Sequence, residues 1–204
     1  MLRLVIETAT QACSVALVED GRLIGERHEI VGRGHAERLV PQIGELMAEA
    51  GRPAVAAILV DCGPGSFTGI RVGLAAAKAL GFGWGVPVHG FSSLALIAAA
   101  SAGEAAAATV AIPGGHGELF VQRFAGTPPS PSGELLSLAP AAAAAMADPL
   151  VLGAGAAALV ALRGSGEARD ATPRAADARL LPAPLATLAP TPLYGRAPDA
   201  RPAA

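Results

Sequence analysis

The sequence predicts an α/β protein, and three observations predict it. A buried-strand run, Ala57-Ile58-Leu59-Val60-Asp61-Cys62, passes through a glycine-rich loop straight into a helix start. Three strand patterns open the chain, and the last two are joined by Asp20-Gly21, a strong hairpin-turn signal. Beyond them helix and strand patterns alternate, as in a partly parallel sheet fed by an antiparallel meander.

Taken in order, residues 2–6, 13–18 and 22–30 read as strands, with the Thr-rich turn Glu7-Thr8-Ala9-Thr10 making the first connection. Residues 36–50 read as a helix, because Leu39, Val40, Ile43, Leu46, Met47 and Ala50 recur at helical spacing and Gly51 ends the pattern. Pro41 falls in or near its first turn, and a start further upstream would cost one backbone bond. After the strand at 57–62, Gly63 and Gly65 permit positive φ, and Ser66 or Thr68 can cap a helix over 68–82 whose unpaired N–H groups suit an anion. Within that helix Gly69, Gly73, Ala77 and Gly81 recur every four residues and leave a groove without side chains. The groove serves either close packing inside this chain or a helix of a second chain.

Residues 86–90 read as a short strand and 93–100 as a helix capped by Ser92. Residues 109–112 and 118–124 form a predicted hairpin around Pro113-Gly114-Gly115-His116-Gly117, and 126–133 a loop. Residues 139–147 and 156–162 are short helix candidates around a strand at 151–153. Past Arg163 the pattern decays, with 177–181 the next helix candidate, Pro192-Leu193-Tyr194 a last ordered contact and a loose tail to Ala204. The division expected is 1–103, carrying the two longer helices, and a smaller half over 104–204.

Composition bounds the function. Of the 204 residues 52% are hydrophobic but only 3% aromatic, so the core must be packed from Ala, Leu, Val and Gly. A net charge of −2 argues against a free-standing nucleic-acid binder. Cys13 and Cys62 sit on apolar strand patterns as small hydrophobes, which fits a reducing cytoplasmic setting. The uncharged interval between Lys78 and Glu104 is divided by Gly81, Gly83, Gly85 and Pro87, and so reads as several elements rather than a membrane span.

Familiar chemistry is hard to find. The glycine loop has no Lys before a Ser or Thr at its end, so it is no Walker A motif, and Gly63, Gly65 and Gly69 are one residue too widely spread for a dinucleotide fingerprint. His28, His35, His89 and His116 show no metal-ligand spacing, and Ser66 is outside any nucleophile elbow. No acidic pair stands out.

The run Gly63-Pro64-Gly65-Ser66-Phe67-Thr68-Gly69-Ile70-Arg71-Val72-Gly73 closely resembles the signature of the TsaB (YeaZ) family, the dimerization subunit of the bacterial complex that makes N6-threonylcarbamoyladenosine (t6A) in tRNA. Glu7-Thr8-Ala9-Thr10 with Cys13-Ser14-Val15-Ala16-Leu17, then His35-Ala36-Glu37-Arg38-Leu39-Val40-Pro41 and Pro192-Leu193-Tyr194-Gly195-Arg196, are similar to other parts of that family. The resemblance is dense over residues 1–100 and sparse afterwards. It implies an actin-like (ASKHA) ATPase fold of two related subdomains, and a non-catalytic scaffold that pairs with the catalytic paralogue TsaD, recruits the ATPase TsaE and meets tRNA only within the complex. It implies pairing through the first two helices, with Leu39, Val40, Ile43, Met47, Gly69, Ile70, Gly73, Ala77 and Gly81 at the interface, or a homodimer through the same helices. Thr8, Ser66 and Thr68 become candidate nucleotide or anion contacts. No cofactor is required by this chain, with ATP or ADP at the complex interface, no metal and no membrane. The alternative is a stand-alone enzyme of the same fold, a phosphotransferase or glycoprotease. Two departures stand out: Glu7 replaces the family's usual Asp, and Pro113-Gly114-Gly115-His116-Gly117-Glu118 lacks its Asp and Arg.

Overall fold

A computed structural model describes residues 1–195 apart from 102 and 104. Strands β1 (Leu2–Glu7), β2 (Ala12–Glu19) and β3 (Arg22–Ile30) form the predicted meander. Helix α1 (His35–Glu49), β4 (Ala57–Asp61), α2 (Phe67–Trp84), β5 (Val88–Phe91) and α3 (Ser93–Ser101) follow. The first sheet has the order β3-β2-β1-β4-β5, antiparallel across the meander and parallel from β1 through β4 to β5.

The second half holds β6 (Ala107–Gly115), β7 (Glu118–Ala125), β8 (Ser130–Pro131), β9 (Leu136–Leu138), α4 (Pro140–Met146), β10 (Leu150–Leu152), α5 (Ala156–Arg163) and β11 (Glu167–Arg169). Its sheet runs β11-β10-β6-β7-β8, with β9 also on β7. Here β6 is antiparallel to β7 and parallel to β10, and β10 is parallel to β11. Strand for strand this repeats the first half, with α4 and α5 in the places of α1 and α2. Two such halves make the actin-like architecture.

Alternation along the strands sorts the core into layers. Leu4, Ile6, Ile58 and Val60 pack under α1 and α2 with Leu39, Ile43, Leu46, Ile70, Leu74 and Ala77. Val5 and Leu59 face the other way, onto α3, which also meets Val110, Ile112, Phe124 and Leu152 of the second sheet. Apolar on every side and buried over Ser93–Ala98, α3 is an internal helix wedged between the sheets. Among the described residues no helix is long and apolar enough to cross a membrane.

Three short strands, β8, β9 and β11, escaped the sequence reading because each has two or three residues and takes its conformation from its neighbours. Helix α1 begins at His35 after Gly34, so Pro41 lies in its second turn, on the exposed side. The region past Arg163 is better ordered than its composition suggests. After β11 the chain returns to the first half: Arg174 pairs with Glu26 at 2.6 Å, the Ala175 N–H donates to Ser14 Oγ at 3.0 Å, and Leu188 bridges to Gly90. Residues Ala175–Leu180 form a 3-10 helix where a short helix was expected at 177–181. The loose tail expected beyond Gly195 lies outside the described residues.

One polar knot ties the second half. Asp148, 7% exposed, accepts Thr109 Oγ at 2.9 Å and two bonds from Arg123 at 3.0 and 2.6 Å. The Arg123 bonds hold its carboxyl below the usual range. A depressed carboxylate stabilises the fold above its unfolded pKa of about 4 and ceases to do so as pH falls through the folded value. Since Arg123 is half exposed, Asp148→Ala should cost about 2 kcal/mol, roughly 4–8 °C of Tm at pH 7, and the difference from the parent should shrink below pH 4 in thermal melts.

Candidate functional site

The glycine loop joins β4 to α2 against the end of β1. Gly63 has φ +98°, a conformation costly for any other residue. A Cβ on Gly65 would strike the Ala9 carbonyl, whose oxygen instead accepts the Ser66 N–H at 2.6 Å. Ser66 then caps α2 as predicted, its side chain accepting from the Gly69 N–H at 3.2 Å.

The small-residue row of α2 points inward. A Cβ on Gly69 would strike the Thr8 carbonyl, one on Gly73 the Thr8 hydroxyl, and one on Gly81 the Val88 side chain. Gly69, Gly73, Ala77 and Gly81 are all buried within this chain, as are Leu39, Ile43 and Ile70. The row is therefore a seat for the chain's own sheet and is not a groove open to a second helix. Of the residues expected at a partner interface Val40 is 63% exposed and Met47 half-buried. Position-by-position transfer of an interface could not separate the two faces of each helix, whereas burial does.

Of the candidate anion contacts, Thr8 is used by the fold: it is wholly buried and its hydroxyl donates to the Gly69 carbonyl at 2.8 Å. Ser66 and Thr68 are exposed at the start of α2. His35 is structural, its Nε2 lying 3.0 Å from the Thr10 carbonyl and 3.1 Å from that of Ala12, so that α1 pins the β1–β2 turn.

The structure also assembles an acidic pair that the sequence reading missed. Ile6 and Val60 are register partners on parallel strands, so Glu7 and Asp61, one step on, lie side by side about 4.8 Å apart at the strand spacing. Both are fully buried. Asp61 Oδ1 accepts the Gly63 N–H at 2.6 Å and Ser93 Oγ at 2.8 Å; Glu7 Oε1 accepts the Ala9 N–H at 2.8 Å. The second oxygen of each has no partner. Burial, reinforced by Asp61, holds Glu7 well above the usual range, and burial pushes Asp61 up to about 7. Their shared position at equivalent strand ends was the available signal, but it needs the β1–β4 register to be seen. Burial likewise raises Cys13 to about 11 and Cys62 to about 12, leaving both as inert thiols. Among the described residues no three His, Cys, Asp or Glu side chains gather as a metal site.

Above the loop, between the halves, opens a cleft of about 930 Å³. Ala9, Thr10, Gly65, Ser66 and Ile70 form one wall, and Ile112 to His116, Phe120 and Ala154 the other. Residues Leu193 to Gly195 close one side.

Fold and cleft thus define a two-sheet protein of the actin-like class, with an internal repeat and an acid pair sealed beneath its central cleft. A family model described as "TsaD: tRNA N6-adenosine threonylcarbamoyltransferase" matches residues 25–128. A solved structure of YeaZ from Pseudomonas aeruginosa superposes with a TM-score of 0.73 at 30% identity, covering 88% of this chain and 89% of that one. The TsaB protein of Escherichia coli is 38% identical over 97 residues, 47% of this chain and 42% of its own length. An uncharacterized protein of Mycobacterium tuberculosis is 41% identical over 105 residues, 50% of either chain. The matched stretch thus spans about half the length of these curated relatives. The chain belongs to the TsaB (YeaZ) family.

The acid pair gives a pH signature. With its pKa raised, Asp61 keeps a proton in the folded chain that the unfolded chain releases near pH 4, so stability falls as pH rises from about 4 to 7 and the cost is complete above 7. Asn at this position keeps an acceptor for Gly63 and Ser93 and cannot ionise. Asp61→Asn should melt at least 2–4 °C above the parent at pH 8, on the order of 1 kcal/mol, and show no such gain at pH 4.

Proposed function

We propose that this chain is a non-catalytic subunit in the synthesis of t6A in tRNA, pairing through the outward face of α1 and α2 with the catalytic paralogue TsaD, with the ATPase TsaE joining the pair. The relatives from Escherichia coli and two other bacteria that carry the name tRNA threonylcarbamoyladenosine biosynthesis protein TsaB support the pathway. The observation that carries the pairing is the outer surface of the α1–α2 layer. Phe82 is 93% exposed and Val40 63%, and α2 also exposes Phe67, Arg71, Ala75, Lys78, Ala79 and Trp84. Large apolar side chains presented on a surface of alanines are the anchors that helix-on-helix recognition uses.

The non-catalytic reading rests on the same geometry. The carboxyl groups of Glu7 and Asp61 are fully buried, and the thiols are buried with raised pKa. A stand-alone phosphotransferase or glycoprotease would have to open this core to use them. This chain itself needs no cofactor for a pairing role; an adenine nucleotide would lie where the subunits meet, and tRNA would be reached through the complex. A homodimer would compete for the same helical face.

Sedimentation of the chain with TsaD from the same organism tests the assignment. Val40→Asp and Phe82→Asp should each weaken the complex at least tenfold. Both side chains are exposed, so melting should move by no more than about 0.5 kcal/mol. A complex that survives both changes at parental affinity contradicts the face assigned.

A further inference from the structure

The central cleft has a chemistry of its own. At about 930 Å³ it falls within the size range of small-molecule sites. Its interior is largely apolar, with Ile70, Ile112, Pro113, Phe120, Pro173 and Leu193 on the walls. The described residues lining it include Arg71 and His116 and no carboxylate. Arg71 stands at the rim, its guanidinium carbon 3.5 Å from the Phe67 ring centroid. Its Nε and Nη2 both donate to Tyr194 Oη at 3.3 Å, and the Phe67 and Tyr194 rings stack at 5.9 Å. Among the described residues Arg71 has no carboxylate at ion-pair distance, in contrast to Arg27, Arg38, Arg123, Arg169 and Arg174. A guanidinium held by the Phe67 ring and the Tyr194 hydroxyl, with no carboxylate partner among the described residues, keeps its charge for something else.

We propose that this cleft is a binding site for a small organic anion with an apolar body, an aryl or acyl carboxylate, whose carboxylate pairs with Arg71 while the body lies along the apolar walls. The start of α2 opens on the same space at Ser66 and Phe67 and favours the same sign of charge. A magnesium-bound triphosphate is disfavoured by the same walls: it brings several negative charges to a single arginine, and the carboxyl groups of Glu7 and Asp61, which could offer a hard cation its oxygen ligands, are sealed below the loop. A planar guanidinium matches a carboxylate in a two-bonded fork.

The test uses the whole chain and 1-anilinonaphthalene-8-sulfonate, an apolar anion whose fluorescence reports binding, with 2-naphthoate, the neutral 2-naphthamide and ATP as competitors. One saturable site is expected, displaced by 2-naphthoate and at least tenfold less well by 2-naphthamide or ATP. Arg71→Leu should weaken the probe at least fivefold. Ala154→Trp, which places a large ring in the cleft from an exposed position, should abolish binding. Phe82→Ser, at the far end of α2, should leave it unchanged, with circular dichroism showing all three variants folded. ATP displacing the probe better than 2-naphthoate overturns the proposal. So does binding that survives Ala154→Trp, binding lost with Phe82→Ser, or the absence of a saturable site.

Discussion

The carbonyl oxygen of Thr8 occupies the space that a side chain on Gly69 would need, and the rest of the first half is built around that contact. Because α2 carries no Cβ at Gly69 or Gly73, it settles onto the end of β1, and the Thr8 hydroxyl reaches the Gly69 carbonyl at 2.8 Å. Gly65 lets the preceding loop lie against Ala9 in the same way. The row's three glycines, Gly69, Gly73 and Gly81, each cost about 1 kcal/mol in helix propensity, and the close contact with β1, β4 and β5 is what offsets them. One consequence is that the opposite side of α2 carries the exposed residues. A second is that the start of α2 is fixed at the floor of the cleft.

The second half repeats the device in a lighter form. Gly153, at φ +101°, follows β10 as Gly63 follows β4, and a Cβ there would strike the Ala111 carbonyl of β6. Gly155 approaches the same carbonyl, at 3.1 Å for an added Cβ, and donates its N–H to it at 2.9 Å. The acid pair has no such counterpart, because β6 and β10, the strands in the places of β1 and β4, carry no carboxylate. The halves therefore share a way of seating a loop on a strand but differ in charge. Asp61 accepts from Ser93 at the start of α3, the helix that both sheets clamp, so its protonation bears on the contact between the halves.

What could be read from the sequence follows from which interactions are local. Periodicity located β1 to β4, α1, α2 and the β6–β7 hairpin, because an amphipathic stripe or a turn pair is written in neighbouring residues. The cap at Ser66 was legible for the same reason. The orientation of the glycine row was not: a groove of small residues looks alike whether a sheet or another helix fills it, and the Thr8 carbonyl that decides the matter is sixty-one positions away. Asp61 read as the polar end of a strand until parallel register set it beside Glu7. Residues 164–193 lack any stripe because they form a strap held down by contacts with distant parts of the chain, such as Leu193 N–H to the Cys62 carbonyl at 2.8 Å.

Chemical denaturation of Gly73→Ala measures the central contact most directly, because the two orientations of the row predict opposite signs. If the row is the seat of α2 on its own sheet, the added methyl meets the Thr8 hydroxyl, disturbs its bond to Gly69, and lowers stability by about 1–3 kcal/mol in the manner of an overpacked core. If the row faced outward, Ala would simply be the better helix former. An increase of about 1 kcal/mol in the isolated chain would then contradict the account.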